Sequence, residues 1–449
     1  MDQTWQKIKR EILSAGLDGT SGLSVGLSRG QLRLADPLVN PVPEPAVPEE
    51  KLNLDPNCFA AAPEKGLPYP ALNQFVFGGL PDSWLTGHIG QAFMGHAANE
   101  DIRSKGASGG VVTQVLLYLL KTGRISGAAC VQLGKTKPYQ PESVIARTPE
   151  QILACAQSVY TETPHLTILD QIANEPGPLA FVGLPDHVAA VRYLQSINHP
   201  GVRAIKYVLG PYTGTIMKFE AIKSYLKANG ATLNQVASMN YRAGEWPGYL
   251  EIKLKSGRVL RAAKFYYNYL IPFFITSRSS RLAVDFTNEL ADISVGDAWA
   301  PAYEKQGGGW SVILGRTQPG VNLLQEMQTE NILRVDPISN NQVIDMHSHM
   351  IDFKKRGSFI RMNWRKARGL PVPDFGYEPV NIPASRVRTE YIISGLFALG
   401  ATPFARAVAE HIPISILGPA FNLLRKTWRR ISKKQKRHGL RATKFRITA

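Results

Sequence analysis

An α/β fold built on a mixed sheet is the architecture predicted for this 449-residue sequence. Three observations carry that expectation. Apolar runs of strand length alternate with helical patterns from about Leu67 to Pro371. A hairpin signal, Lys255-Ser-Gly-Arg258, lies between two runs of period-2 pattern. Hydrophobic residues make up 44% of the chain, enough for a sizeable core.

In chain order, residues 1–35 read as a short helix followed by a Gly/Ser-rich turn region. Residues 37–56 carry prolines at 37, 41, 43, 45, 48 and 56, which favours an extended polyproline connector over a packed element. Strand-like runs follow at 128–133, 179–183, 204–209 and 311–314, with helical patterns at 111–121, 149–157, 167–174, 187–196 and 220–227. The pair 249–254 and 259–263 is expected to make the sheet mixed. The expected divisions are an N-terminal segment with its Pro-rich linker at 1–66, an α/β core at 67–371, and a C-terminal extension of apolar helices and basic tail at 372–449.

The formal net charge of +17 is concentrated at one end: residues 421–449 hold eleven of the 52 Lys/Arg and none of the 35 Asp/Glu. The body is only mildly basic, and the tail lacks the aromatic and Gly content that reads single strands, so no nucleic-acid partner is expected. Apolar stretches at 391–405 and 412–424 precede the cluster Arg425-Lys-Thr-Trp428-Arg-Arg430. Two readings stand for residues 421–449: an in-plane anchor on an anionic membrane surface, or a solvated basic tail. Cys58, Cys130 and Cys155 have no metal-ligand spacing, and the N-terminus has no apolar signal core, which together predict a cytoplasmic protein, with the tail able to place it peripherally on the inner face of the membrane.

Four stretches can carry chemistry. Ser108-Gly109-Gly110 opens the helical run that contains Thr113, and glycines at a helix start let backbone N–H groups approach a phosphate; the same pattern also serves as a simple N-cap and turn. Lys206 lies in a strand that ends in Gly210-Pro211, where it could counter a phosphate or be an ordinary strand residue. Asp297, after Gly296 at a strand end, could bind a ribose or ribityl hydroxyl, with Trp299 stacking on a ring. Gly307-Gly-Gly-Trp310 offers a flexible loop and a pocket wall, against the ordinary fate of a tryptophan in a core. His347 and His349 lack acidic or cysteine partners at a helpful spacing and are read as ordinary polar residues.

Asp292-Ile-Ser-Val-Gly-Asp297-Ala-Trp299, preceded by Ser277-Arg-Ser-Ser280-Arg-Leu-Ala283-Val-Asp285, resembles the signature of the coenzyme F-420 hydrogenase/dehydrogenase beta-subunit family. Phe75 to His88, Cys58 with Lys65-Gly-Leu-Pro-Tyr69-Pro70, Tyr241 to Gly248 and Trp310 to Thr317 resemble further family segments in the same order. The resemblance implies an FAD-dependent oxidoreductase with iron-sulfur clusters, exchanging electrons with a deazaflavin, a ferredoxin or a tetrapyrrole. It implies a flavoprotein core, a degenerate ferredoxin-like N-terminal segment, and a cofactor site holding Ser108, Gly109, Gly110, Thr113, Lys206, Asp297 and Trp310. The cluster cysteines are missing: Asp18, Ser21, Ser24 and Ser28 occupy one set of positions, and Ser279 or Ser280, Ala283, Asp186 and Thr213 another. Four thiolates are what hold an iron cube, so no iron-sulfur cluster and no metal is expected. The expected function is therefore a cluster-less FAD-dependent oxidoreductase served by an electron-donor protein or a soluble hydride donor. The alternative is a non-catalytic descendant acting as a membrane-associated binding or scaffolding partner.

Overall fold

The computed structural model describes residues 2–263, 277–412 and 414–448. Asp2 caps the first helix, Gln3–Lys7, by accepting from Trp5 N at 2.7 Å, and the chain continues through a wider turn, Ile8–Leu13, that buries Ile8 and Ile12. After the helix Leu23–Leu27, strands β1 (Leu32–Asp36) and β2 (Asn40–Pro45) form an antiparallel hairpin with Leu34 opposite Pro43. The Pro-rich stretch is expected to be an extended connector and not a packed element; instead 40–45 is paired strand, 49–51 is a short 3-10 turn, and Leu52 and Leu54 enter the core. An isolated two-stranded ribbon has two edges, and prolines are tolerated there because each strand owes the ladder amides on one side only.

The main sheet takes β3 (Gln91–Ala97), β4 (Gly127–Leu133), β5 (Pro141–Ala146), β6 (Leu179–Val182) and β7 (Ile205–Pro211). A separate three-stranded sheet follows, formed by β8 (Val236–Ala243), β9 (Tyr249–Leu254) and β10 (Val259–Ala263). The main sheet resumes with β11 (Ile293–Asp297), β12 (Ser311–Gly315) and β13 (Leu333–Pro337), and its order is β13-β3-β12-β11-β7-β6-β4-β5. β4, β6, β7 and β11 are parallel neighbours, while β5 and the β12, β3, β13 side pair antiparallel. The sheet is mixed for a different reason from the expected one: the 249–263 hairpin pairs with β8 outside it. Adjacent residues of the central strands enter opposite apolar clusters, Phe181, Val208 and Ala129 on one face and Ala180, Leu209 and Ala128 on the other. Burial on both faces explains why these strands read as continuous apolar runs.

The N-terminal segment shares the first of these clusters: Trp5, Leu17, Leu23 and Cys58 pack with Phe181, Val188 and Val191. The C-terminal extension is also tied down. Strand β14 (Tyr377–Pro379) pairs with β15 (Phe445–Ile447), so the end of the basic tail is not free.

The segment 353–361 buries several charged side chains together. Phe353–Ser358 is a π-helical stretch in which Lys354, Lys355 and Arg356 are all buried. Lys355 lies 2.6 Å from Glu289, and Lys354 donates to the Ser280 carbonyl. Asp352 accepts from Arg356 at 2.6 Å and from Arg386 at 2.8 Å; Glu390 accepts from Arg361 at 2.5 Å and from Arg386 at 2.9 Å. A side chain at Gly357 would come within 3.0 Å of both the Arg361 and Arg386 guanidinium groups, so its absence makes room for the network.

Removing Arg386 leaves two buried carboxylates short of a partner, so Arg386→Met is expected to lower the unfolding free energy by about 3–5 kcal/mol in urea titration. Arg33→Ala, at the exposed Arg33–Glu44 pair, should cost less than about 1 kcal/mol. Burial, reinforced by Arg361, pulls the Lys354 pKa down to about 7 from 10.5 against the pull of Asp186 and Asp285. Its penalty is full below that value and relieved as pH rises toward 10.5, so wild-type stability relative to Lys354→Met should increase between about pH 7 and 9.

Candidate functional site

Because β12 is antiparallel to both its neighbours, β3 and β11 run the same way and end on one edge of the sheet. The ladder aligns Asp297 with Ser311 and Ser311 with Gly95 in a row across three strands. The glycine turn rests on this row. Ala97 N donates to Gly109 O at 2.7 Å, and Ser311 Oγ donates to Ser108 O at 2.8 Å with the Ser108 hydroxyl 3.1 Å away. Gly109 has φ of 106°, and a Cβ there would meet His96 Cβ at 3.1 Å and Ser311 Oγ at 3.2 Å. Only glycine suits that position. Gly110, also left-handed, starts the helix Val111–Lys121, whose first turn buries Thr113.

Asp297 is engaged by two groups. Trp246 Nε1 donates to Oδ1 at 2.8 Å, and Arg242 from β8 donates to Oδ1 at 3.0 Å. The same guanidinium donates to Ala107 O at 2.6 Å, to Pro247 O at 2.5 Å and to the Tyr160 hydroxyl at 2.7 Å. Arg242 therefore joins three parts of the site: the strand end at Asp297, the stretch just before the glycine turn, and the small sheet. Trp246 stacks on Trp299 with centroids 5.4 Å apart. Behind Asp297, the Nε2 of buried His347 lies 2.9 Å from its carbonyl, and burial lowers the His347 pKa, keeping the ring neutral.

The loop Gly307–Gly309 is left-handed throughout, and Gly309 packs so closely on the glycine turn that a Cβ there would lie 2.8 Å from Gly109 N. Arg103 donates to Gly309 O and lies over the Trp310 ring at 5.5 Å, while His96 meets that ring edge-on at 4.8 Å. Trp310 Nε1 and the Tyr212 hydroxyl are buried without a hydrogen-bond partner among the described residues. Ser108, Gly109, Gly110, Asp297 and Trp310 are thus brought together from strands and loops far apart in sequence, with Thr113 one turn away. Lys206 is not among them. It lies exposed at the amino end of β7, with about 16 Å of extended chain between it and Pro211, and its ammonium lies over the Tyr207 ring. The sequence pattern marks a residue's strand but not which end of the sheet it faces.

Residues 92–170 and 178–341 match the two halves described as coenzyme F420 hydrogenase/dehydrogenase, beta subunit N-term and C terminus. The chain belongs to this beta-subunit family. It is 25% identical over 289 residues to the coenzyme F420 hydrogenase subunit beta of Methanothermobacter thermautotrophicus, covering 62% of this chain and 95% of that one. The chloroplastic 7-hydroxymethyl chlorophyll a reductase of Oryza sativa is 25% identical over 220 residues, covering 49% and 42%. Among solved structures, a chain of the F420-reducing NiFe hydrogenase complex from Methanosarcina barkeri shares the fold, with a TM-score of 0.51 at 20% identity over 65% of this chain and 97% of that one.

In this beta-subunit homologue, the positions that the resemblance assigns to cluster ligands are occupied by groups with other partners. Ser24 Oγ donates to Cys58 O at 2.9 Å, Ser28 Oγ donates to Val25 O at 2.8 Å, and Ser21 N donates to Glu64 at 2.9 Å. Glu64 is buried beside a small cavity, with room for about one water molecule, that Ile8, Ile12, Ser21 and Ser24 also line. Burial raises the Glu64 pKa and pushes the Cys58 thiol up to about 12. Asp18 accepts from the backbone amides of Arg278 and Ser279, the second at 3.0 Å, and so joins the two sets of positions directly. In the second set, Ser280 Oγ accepts from Ile216 N at 3.1 Å, Thr213 N donates to Phe286 O at 2.9 Å, and Asp186 accepts from His187 N at 3.0 Å. This donor set does not fit an iron-sulfur cluster, and among the described residues no three His, Cys, Asp or Glu side chains are grouped as metal ligands.

Sequence reasoning missed Arg242 and Trp246 as site residues, although Tyr241 to Gly248 carries part of the resemblance. The Asp297–Arg242 pair is expected to hold this corner together: Asp297→Asn should cost about 2–3 kcal/mol in chemical denaturation. The Trp246–Trp299 emission should also shift to the red; an unchanged spectrum and stability would show the pair to be dispensable.

Proposed function

We propose that this chain is an FAD-dependent oxidoreductase of the beta-subunit type that works without iron-sulfur clusters. The observation that carries the reading is the glycine turn. Gly109 and Gly110 adopt left-handed φ of 106° and 70° immediately before an eleven-residue helix that no side chain caps. The first amides of that helix and the positive end of its dipole suit the oxygens of a diphosphate. The left-handed turn, with the buried Trp310 Nε1 that finds no hydrogen-bond partner among the described residues, offers donors of the kind an FAD phosphate and ring system takes.

In this reading Ser108, Gly109, Gly110 and Thr113 hold phosphate and Trp310 forms the wall. Asp297 acts as a positioning residue, because its carboxylate is committed to Arg242 and Trp246. Lys206, at the opposite edge of the sheet, takes no part. Bound FAD supplies hydride and electron transfer, and the protein supplies orientation and electrostatics. With no thiolates at the cluster positions, electrons come from a soluble hydride donor or an electron-donor protein. The likeness to a chain of a hydrogenase complex favours a protein. The chain is assigned to the cytoplasm, its C-terminal extension being the part able to reach an anionic membrane.

A second reading, a non-catalytic membrane-associated scaffolding partner, draws support from Gly309 lying against the glycine turn. The visible spectrum of purified protein, with iron assayed on the same sample, separates the two. Flavin bands without iron are expected, and Gly109→Val should lower flavin occupancy at least tenfold while the protein stays folded by circular dichroism. Colourless, iron-free protein that takes up no added FAD would favour the scaffolding partner.

A further inference from the structure

The C-terminal extension contains three helices whose outward faces are apolar. On Ala384–Gly400 the buried residues Thr389, Glu390, Ile393, Phe397 and Gly400 share one face, while Tyr391, Ile392 and Leu399 lie on the other, each more than half exposed. These exposed residues recur at helical spacing, with Gly395 and Ala398 filling the stripe between them. Phe404 of Pro403–His411 is 75% exposed. On Ile414–Arg437 the exposed positions Ile416, Ala420 and Leu423 follow one face and lead to exposed Lys426.

Charge says what such a face suits. Residues 384–449 hold fourteen Lys/Arg and only two acidic residues, Glu390 and Glu410. Both carboxylates are paired, Glu390 with Arg361 and Arg386, Glu410 with Lys227 and Arg406. The apolar stripe therefore borders cations and no unpaired carboxylate, the combination that meets acyl chains and anionic headgroups together. No single helix among the described residues is long and apolar enough to cross a membrane; the first two, bent by 67° at their junction, reach that length and apolarity only as a pair.

The end of the tail is used differently. Arg437 donates to Ser348 Oγ at 2.9 Å, Arg441 pairs with Asp345 at 2.6 Å, Arg446 pairs with Glu378, and β15 is hydrogen-bonded to β14. Arg437 and Arg441 hold the extension to the body of the protein, and Arg446 with β15 closes the extension on its own first strand. We infer that the outward apolar faces of helices 384–400, 403–411 and 414–437, with Lys426 at their border, dock on an anionic lipid surface, and that residues 437–448 anchor those helices to the protein. The inference rests on the C-terminal extension being the membrane-facing part, and it is independent of whether flavin binds.

The test is co-sedimentation of the full-length protein with phosphatidylserine-phosphatidylcholine vesicles and with pure phosphatidylcholine vesicles. Wild type is expected to bind the anionic vesicles preferentially. Leu399→Glu with Phe404→Glu should reduce binding at least tenfold, and Lys426→Glu roughly fivefold or more. Arg441→Gln, at the tail-to-body contact, should bind like wild type. All four positions are surface sites, and equal thermal midpoints would verify that the variants are folded. If wild type binds and the Leu399/Phe404 variant binds equally well, the assignment of the face is overturned while membrane docking stands. Failure of wild type to bind anionic vesicles overturns both. A wild-type dimer that the double substitution converts to monomer, with lipid binding absent, would identify the face as a contact between copies of the chain and overturn the inference.

Discussion

Asp352 and Glu390 receive three arginine side chains in a space closed to water, and much of the remaining architecture is arranged around that fact. Arg386 bridges the two carboxylates, Arg356 turns from Asp352 to donate to the carbonyls of Lys436 and His438, and Arg361 turns from Glu390 to donate to the carbonyl of Arg281. One cluster thus fastens the helices 340–366, the 384–400 helix, the end of the 414–437 helix and the short helix after Ser277. Ion pairs in such a setting gain little over apolar packing, because desolvation cancels most of the attraction. Their contribution is geometric: each guanidinium has fixed donor directions, and only one arrangement of the four elements satisfies them all. The Glu390 pKa expresses this balance, since burial raises it and Arg361 and Arg386 outweigh burial and hold it below the ordinary carboxylate range.

Lys354 and Lys355 lie beside the positions that the family resemblance assigns to cluster ligands. Lys354 donates to the carbonyl of Ser280, while Lys355 reaches Glu289 and the Tyr377 hydroxyl. Tyr377 in turn stacks on Trp84 at 4.1 Å. Where the resemblance implies a metal cluster held by thiolates, the chain presents hydroxyls bonded to its own backbone, a capping aspartate and buried ammonium groups. An interior built this way holds itself together through polar contacts that a cluster would otherwise replace.

The parts of the fold that were legible in sequence are those decided by local pattern. The helix Val111–Lys121 was placed to the residue because Gly110 ends the preceding turn and the apolar stripe is regular. The central strands were found within a residue or two because both their faces are buried. Edge elements were not: β5 and β13, at the two edges of the main sheet, mix polar with apolar residues, and the β1-β2 hairpin was hidden by its prolines. The sheet to which the 249–263 hairpin belongs depends on β8, a partner whose pattern carries no address. The burial of Arg356, Arg361 and Arg386 had no signal in the sequence, because burial of a charge is decided by partners as far as 82 residues away. At the site, the glycine turn and Asp297 could be read from residue type and position. Arg242 could not, since its importance comes from five oxygen contacts made across the fold.

The pairing of β14 with β15 bears on how such a chain is made. Ribosomal synthesis delivers Lys355 and Arg356 well before the carbonyls of Lys436 and His438 and the strand Phe445–Ile447 that close over them. Until then the nascent polypeptide holds a set of cations, with Glu289 and Asp352, that cannot be sealed from water. The central parallel strands can assemble early, but the polar interior is completed only once the strand Phe445–Ile447 has been made.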